Sequence, residues 1–178
     1  MIIRIHGGLS FFGMKRIINN ELFQYVMKHR ISSKVFIFDR DRILLIKHVD
    51  PISKNEWWVP PGGGVQGEET VLDAAKREVW EESGLDVEIG QLSYVRQLIF
   101  DGYNMLELYF WSNGHDGNPH IGNIAGKGED EDFIKDCGWF SQEQVQNMRV
   151  LPSIIKDGLW LDRHNHPPAR FIGLDREF

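Results

Sequence analysis

The chain has 178 residues, of which 42% are hydrophobic and 26% are charged. This length suits one domain with a single buried core, and the composition excludes disordered and collagen-like chains. The formal net charge of -6 argues against a nucleic-acid polymer as the partner, because such proteins usually need a basic surface; a small phosphorylated ligand can still be bound through a divalent cation.

The single cysteine, Cys137, excludes an intramolecular disulfide. The N-terminus lacks the pattern of a secretory signal, and no run approaches the roughly 20 apolar residues of a membrane span. We therefore expect a cytoplasmic protein that does not contact a membrane. Residues 1–31 form an N-terminal extension in which a helix and a strand remain alternatives, and residues 1–13 precede a second methionine, Met14.

The first clear elements are two apolar, β-branched runs at residues 34–39 and 43–49. The polar turn of residues 40–42 separates them, which predicts a hairpin. A helix follows, beginning at Thr70 with Asp73 as its capping-box partner and ending at Gly84. Its predicted core-facing residues are Val71, Leu72, Ala75 and Val79.

Downstream, residues 87–100 and 103–111 flank an Asp-Gly pair, which predicts a second hairpin. Residues 133–140 are predicted to form a further strand, and Ser141 with Gln144 to form a second capping box. The pair Leu151-Pro152 predicts the start of a short helix, and residues 161–178 are assigned to a C-terminal tail. This order of elements indicates a mixed α/β domain over residues 32–160, with a helix packed on a sheet.

The acidic residues of the predicted helix lie at its unfavourable end. Glu78, Glu81 and Glu82 occupy the last two turns, where the helix dipole is negative, and Glu78 and Glu82 are like charges one turn apart. Side chains at this spacing share a face, so the three carboxylates can converge on a hard cation such as Mg²⁺ or Mn²⁺. A solvated acidic face is the alternative.

A glycine-rich turn immediately precedes this helix, at Gly62, Gly63, Gly64 and Gly67. Glycines let the backbone approach a ligand closely, although an ordinary connection would also use them. Taken together, the turn and the helix are similar to the signature of the Nudix hydrolases, Gly-x5-Glu-x7-Arg-Glu-aliphatic-x-Glu-Glu-x-Gly-aliphatic. The matching positions are Gly63, Glu69, Arg77, Glu78, Val79, Glu81, Glu82, Gly84 and Leu85.

The resemblance implies an α/β/α sandwich around a mixed sheet, with the signature as its loop-helix-loop. It also implies that Glu78, Glu81 and Glu82 hold Mg²⁺ or Mn²⁺, with the Gly62 carbonyl as a further ligand. Arg77 and Glu69 map onto a pair that orients this cluster. Family members are often dimers, so the resemblance leaves a homodimer open, and the sequence does not determine the oligomeric state.

The reaction implied is hydrolysis of a diphosphate bond by activated water, with a carboxylate as the general base. That base can come from the signature or from the later acidic run, in which Glu129 and Glu131 are the candidates. A solvated acidic loop is the alternative. Aromatic side chains that could stack on a nucleobase, or that could instead belong to the core, are Trp57, Tyr103, Phe110 and Trp111.

Nucleoside diphosphate sugars such as ADP-ribose are the favoured substrate class. The proline of many ADP-ribose-type members is absent, since residues 100–102 are Phe, Asp and Gly. Tyr103 resembles instead a tyrosine of members that act on dinucleoside polyphosphates. Those compounds, oxidised nucleoside triphosphates, and a non-catalytic nucleotide-sensing module remain alternatives.

Overall fold

The computed structural model describes residues 27–100, 102–122 and 132–176. The strands of this part of the chain are β1 (Lys28–Phe36), β2 (Phe38–Asp39), β3 (Arg42–Val49), β4 (Glu56–Val59), β5 (Gly62–Gly64), β6 (Asp86–Phe100), β7 (Tyr103–Asp116), β8 (Ile134–Ser141) and β9 (Arg170–Arg176). The helices are α1 (Val71–Ser83), α2 (Gln142–Gln146) and α3 (Gly158–Asn165), with a 3-10 turn at Ser153–Ile155.

The strands form two sheets. The larger sheet has the order β5-β1-β7-β6-β9, and the smaller sheet places β3 beside β2, β4 and β8. In the larger sheet β1 runs parallel to β7 and β6 runs parallel to β9, whereas the other pairs are antiparallel. The predicted mixed sheet is therefore confirmed.

The first predicted hairpin is present, but its first strand is divided between the two sheets. Phe36 ends β1 in the larger sheet, and Phe38 begins β2, which pairs with β3 in the smaller sheet. The turn passes through Arg40, whose φ of 52° lies in the left-handed region. The chain therefore passes from the larger sheet to the smaller sheet at Ile37.

Alternate residues of β1 enter two different hydrophobic clusters. Phe36 packs with Trp160 of α3, whereas Val35 and Ile37 pack with Val79 of α1. Side chains of successive strand residues point to opposite faces, so the sheet has α1 on one face and α3 on the other. This arrangement confirms the expected α/β/α sandwich.

Helix α1 has the predicted termini. Thr70 and Asp73 form the capping box, and Gly84 ends the helix in the left-handed conformation at φ 68°. Ala75 and Val79 are fully buried as expected, but the prediction for Leu72 is wrong, because its side chain is 44% exposed. The buried face of α1 includes the positions of the glutamates, and Leu72 lies outside this face.

The C-terminal part agrees with the remaining predictions for strands and caps. β8 matches the predicted strand but begins and ends one residue later, and Ser141 forms a capping box with Gln144 at the start of α2. The residues assigned to a tail contain the end of α3 and all of β9, which pairs with β6. The alternatives for the N-terminal extension lie mainly on residues 1–26, outside the described part of the chain. No helix among the described residues is long and apolar enough to cross a membrane.

Candidate active site

The short edge strand β5 brings the glycine-rich turn against the last turns of α1. The Gly62 N–H donates a hydrogen bond of 2.9 Å to Glu82 Oε2. A Cβ on Gly63 would lie 2.5 Å from the carboxyl carbon of Glu78, so a side chain here would displace that carboxylate from its position. Gly62 has φ +142°, a conformation that L side chains rarely adopt. The glycines are therefore required for the contact between the turn and the acidic helix face.

All three predicted glutamates of α1 are buried. The exposed fractions of Glu78, Glu81 and Glu82 are 3%, 7% and 3%. Burial of ionised carboxylates is costly unless cations or hydrogen-bond donors compensate for it. Arg77 Nη1 donates to Glu78 Oε1 at 2.8 Å and to Glu81 Oε2 at 3.3 Å. The helix thus buries three carboxylates close together, and the guanidinium of Arg77 hydrogen-bonds to two of them.

Arg77 is itself fixed by Glu69. Two hydrogen bonds of 3.0 and 2.7 Å join its guanidinium to the two carboxylate oxygens, and a third, of 3.1 Å, reaches the carbonyl of Gly64. Glu69 also accepts from the N–H of Gln66. The bond from Arg77 is the largest cause of the lowered pKa of Glu69, and the acidic partners raise the pKa of Arg77 further above its usual range. The structure brings the expected orienting pair together.

The donor set suits a hard divalent cation, because Glu78, Glu81 and Glu82 offer only oxygen ligands in a buried patch. As the side chains stand, no group of three His, Cys, Asp or Glu residues in the described ranges is arranged to hold a metal ion. In this arrangement Arg77 contacts both Glu78 and Glu81. A cation would have to compete with the guanidinium and draw the carboxylates together.

The expected carbonyl ligand is already engaged. Lys34 Nζ donates to the Gly62 carbonyl at 2.8 Å, so a cation at this oxygen would face a positive charge. A role for Gly62 in metal binding remains a prediction, and the three glutamates carry the case for a metal site.

Two further polar side chains of the site were not found from the sequence. Lys34 lies in an apolar run, which could have marked it as unusual. Burial and the nearby Lys34 lower the pKa of His48 to about 3, so His48 is neutral at pH 7. Its Nε2 atom is buried without a hydrogen-bond partner among the described residues. The pKa of Cys137 is raised to about 11, mainly by burial and to a smaller extent by the negative charges of Asp136 and Glu82.

The aromatic candidates are separated by the fold. Trp57 is half-buried, and its ring lies 5.6 Å from that of His48, which places it near the site. Tyr103 lies at the other end of β1, roughly 13 Å along that strand from the residue paired with Gly64. Phe110 and Trp111 are only 6% and 3% exposed.

Trp111 packs in an aromatic core cluster that includes Phe36 and Tyr94. Neither Phe110 nor Trp111 presents a ring face to a nucleotide in this arrangement, because their neighbours in the core cover them. Of the four aromatic candidates, all within the described residues, Trp57 alone contacts His48, whose pKa is lowered by burial and by Lys34 of the site.

Glu129 and Glu131 lie outside the described residues. Before this gap, the Gly122 N–H donates to the Glu82 carbonyl at 3.3 Å. After it, the ring of Phe133 contacts that of Trp57, with 6.4 Å between their centroids. The described residues on both sides therefore adjoin the site, and the role of the two acids stays a prediction.

A glycine edge strand beside a capped helix with buried carboxylates and a fixed arginine defines the class of the domain. The family model described as the NUDIX domain matches residues 28–157. The chain belongs to the Nudix family, and the resemblance seen in the signature is confirmed.

The curated relatives match only segments of the chain. The m7GpppN-mRNA hydrolase NUDT17 of Bos taurus is 58% identical over 38 residues, which are 21% of this chain and 13% of that protein. A MutT-like protein of Streptomyces ambofaciens is 37% identical over 68 residues, which are 38% of this chain and 42% of that protein. The chain thus spans less than half the length of these relatives.

Solved structures match over most of the chain. The MutT NUDIX hydrolase of Burkholderia pseudomallei has a TM-score of 0.54 at 27% identity, covering 66% of this chain and 86% of that one. The E. coli ORF135 protein has a TM-score of 0.63 at 20% identity, covering 80% of this chain and 96% of that one. The latter likeness shows the fold alone.

Proposed function

We propose that the protein is a metal-dependent hydrolase that cleaves the diphosphate bond of a nucleoside diphosphate linked to another group. The observation that carries this proposal is the buried set Glu78, Glu81 and Glu82 beside a strand that has no side chains. A diphosphate is anionic and repels a nucleophile, so it needs positive charge, which the carboxylates can supply by holding cations.

The residues of the chain have distinct tasks in this proposal. Glu78, Glu81 and Glu82 would hold Mg²⁺ or Mn²⁺. A bound ion would neutralise phosphate oxygens and lower the pKa of a water molecule. Glu69 fixes Arg77, and Arg77 sets the positions of Glu78 and Glu81 through its hydrogen bonds. One carboxylate accepts the proton of the attacking water; Glu69, Glu78, Glu82, Glu129 and Glu131 are the candidates.

Nucleoside diphosphate sugars such as ADP-ribose are the first substrate class in this proposal. Trp57 is the aromatic candidate best placed for a nucleobase, because its ring is only half-buried, whereas Phe110 and Trp111 are buried. A second candidate class has a longer phosphate chain, such as dinucleoside polyphosphates or oxidised nucleoside triphosphates. The segment shared with an m7GpppN-mRNA hydrolase, whose named substrate joins two nucleosides through three phosphates, favours this second class.

The test is release of phosphate and nucleotide from a panel of nucleoside diphosphate sugars, dinucleoside polyphosphates and triphosphates, with Mg²⁺ or with EDTA. A Glu82→Gln variant removes a buried carboxylate charge, and Glu88→Gln, at an exposed position of β6, is the matched control. We expect turnover that requires metal, falls by at least 100-fold in Glu82→Gln and is unchanged in Glu88→Gln.

The panel also separates the alternatives. The substrate with the highest kcat/KM names the substrate class. Nucleotide binding without turnover of any compound would contradict the proposal and support a non-catalytic sensing module.

A further inference from the structure

The side chain of Arg30, a residue of β1, lies over the glycine edge strand β5 on the face turned away from the carboxylates. β1 pairs with β5 so that Ser32 is opposite Gly64, and Arg30 is two residues before Ser32 on the same face of β1. Such diagonal neighbours are within reach of a long side chain. A Cβ on Gly64 would overlap the guanidinium of Arg30, which therefore occupies the space that glycine leaves open.

Within the described part of the chain, no partner compensates the charge of this guanidinium. Among residues 27–100, 102–122 and 132–176, no hydrogen bond or ion pair involves the side chain of Arg30, whereas Arg77 contacts four acceptor groups. Arg30 is also exposed to solvent. A guanidinium carries five N–H donors in a planar fork that matches phosphate geometry. Arg30 therefore presents unused donors next to the candidate active site.

Lys34 places a second cation on the same face. Its ammonium is fixed at the Gly62 carbonyl, and the Arg30 guanidinium lies over Gly64. Two residues of a strand are separated by about 7 Å, so the two cationic groups follow the edge strand at roughly that spacing. On the other face, Glu78 fills the space at Gly63. The edge strand thus has carboxylates on one face and cations on the other.

We infer that Arg30, with Lys34 beside it, binds phosphate oxygens of the nucleotide on the face of β5 opposite Glu78. The inference rests on the proposed function, because it concerns those phosphates of the substrate that the cations held by the carboxylates do not contact. A chain with a net charge of -6 needs local positive charge to hold an anion. Because β5 has no side chains, phosphate oxygens held by Arg30 can approach its backbone closely on this face.

The experiment measures binding of ADP-ribose, ATP and adenosine to the full chain in EDTA by titration calorimetry, so that neither metal nor turnover contributes. The variants are Arg30→Ala, Arg30→Lys and the control Arg42→Ala, which removes an exposed arginine at the start of β3. Removing a hydrogen bond to a charged group weakens binding by about tenfold or more.

We expect Arg30→Ala to weaken the binding of ADP-ribose and ATP about tenfold without changing the binding of adenosine. Arg30→Lys should restore part of the affinity, because it keeps the charge and loses the fork. Equal affinity of wild type and Arg30→Ala for both phosphorylated ligands would overturn the inference, as would an absence of binding by wild type at millimolar ADP-ribose and ATP.

Turnover with Mg²⁺ is measured separately on the same variants. Loss of phosphate binding in Arg30→Ala together with no turnover by wild type would refute the proposed function and leave the assignment of Arg30 standing. Turnover by wild type with unchanged binding by Arg30→Ala would do the reverse.

Discussion

Replacing Gly63 by alanine should separate activity from folding at this site. The new Cβ would lie 2.5 Å from the carboxyl carbon of Glu78, whereas ordinary contacts begin at 3.4 Å. The carboxylate must therefore move by about 0.9 Å, which it can do because it is the end of a flexible side chain. Gly63 is not in the left-handed region, so alanine fits its backbone. A displacement of about 1 Å in a catalytic group costs on the order of 100-fold in rate.

We expect kcat/KM of Gly63→Ala to fall about 100-fold on the best substrate, while the free energy of unfolding changes by less than about 1 kcal/mol. The matched control is Gly114→Ala, because a Cβ there meets no atom within 4 Å. Its activity and stability should equal those of the wild type. Undiminished kcat/KM in Gly63→Ala would refute the reasoning, since Glu78 could then move without consequence.

Three other substitutions test stability and its pH dependence. Gly84→Ala should destabilise the protein by about 1–2 kcal/mol in chemical unfolding, because Gly84 has φ 68° and its Cβ would collide with His120. Phe36→Ala should cost about 3–5 kcal/mol in the same assay, because its ring is fully buried in the aromatic core. Arg77 lowers the pKa of Glu69 below its usual 4.5, so this pair stabilises the fold above pH 4.5 and the stabilisation is lost as the pH falls through the lowered pKa. Glu69→Gln should therefore be less stable than wild type at pH 7, and the difference in the free energy of unfolding should become smaller in acid. A difference that does not depend on pH would contradict this cause.

The signature segment was predictable because its determinants are local. The capping pair Thr70 and Asp73, the C-terminal Gly84 and the spacing of the glutamates all lie within about four helical turns of one another. Side chains three and four residues apart share a helix face whatever the rest of the fold does. The helix, its ends and its acidic face could therefore be predicted from the sequence.

Features that depend on pairing between distant segments could not be predicted in this way. β9 pairs with β6 across more than 70 residues, and nothing in its sequence specifies that partner. Arg30 meets Gly64 only because of the register of β1 against β5. The burial of Trp111 likewise follows from the packing of α3 against the larger sheet. An aromatic pattern in a strand does not distinguish a core side chain from a ligand-binding one.

The side chains of the candidate site also cover the hydrogen-bonding groups of an exposed sheet edge. β5 is the last strand of the larger sheet, a position where unpaired backbone groups can recruit a strand from another molecule. Here Glu82 accepts from the Gly62 N–H, Lys34 donates to the Gly62 carbonyl, and Arg77 donates to the Gly64 carbonyl. Substitutions at these three positions should therefore favour self-association through this edge, so aggregation should be measured beside activity in every such variant.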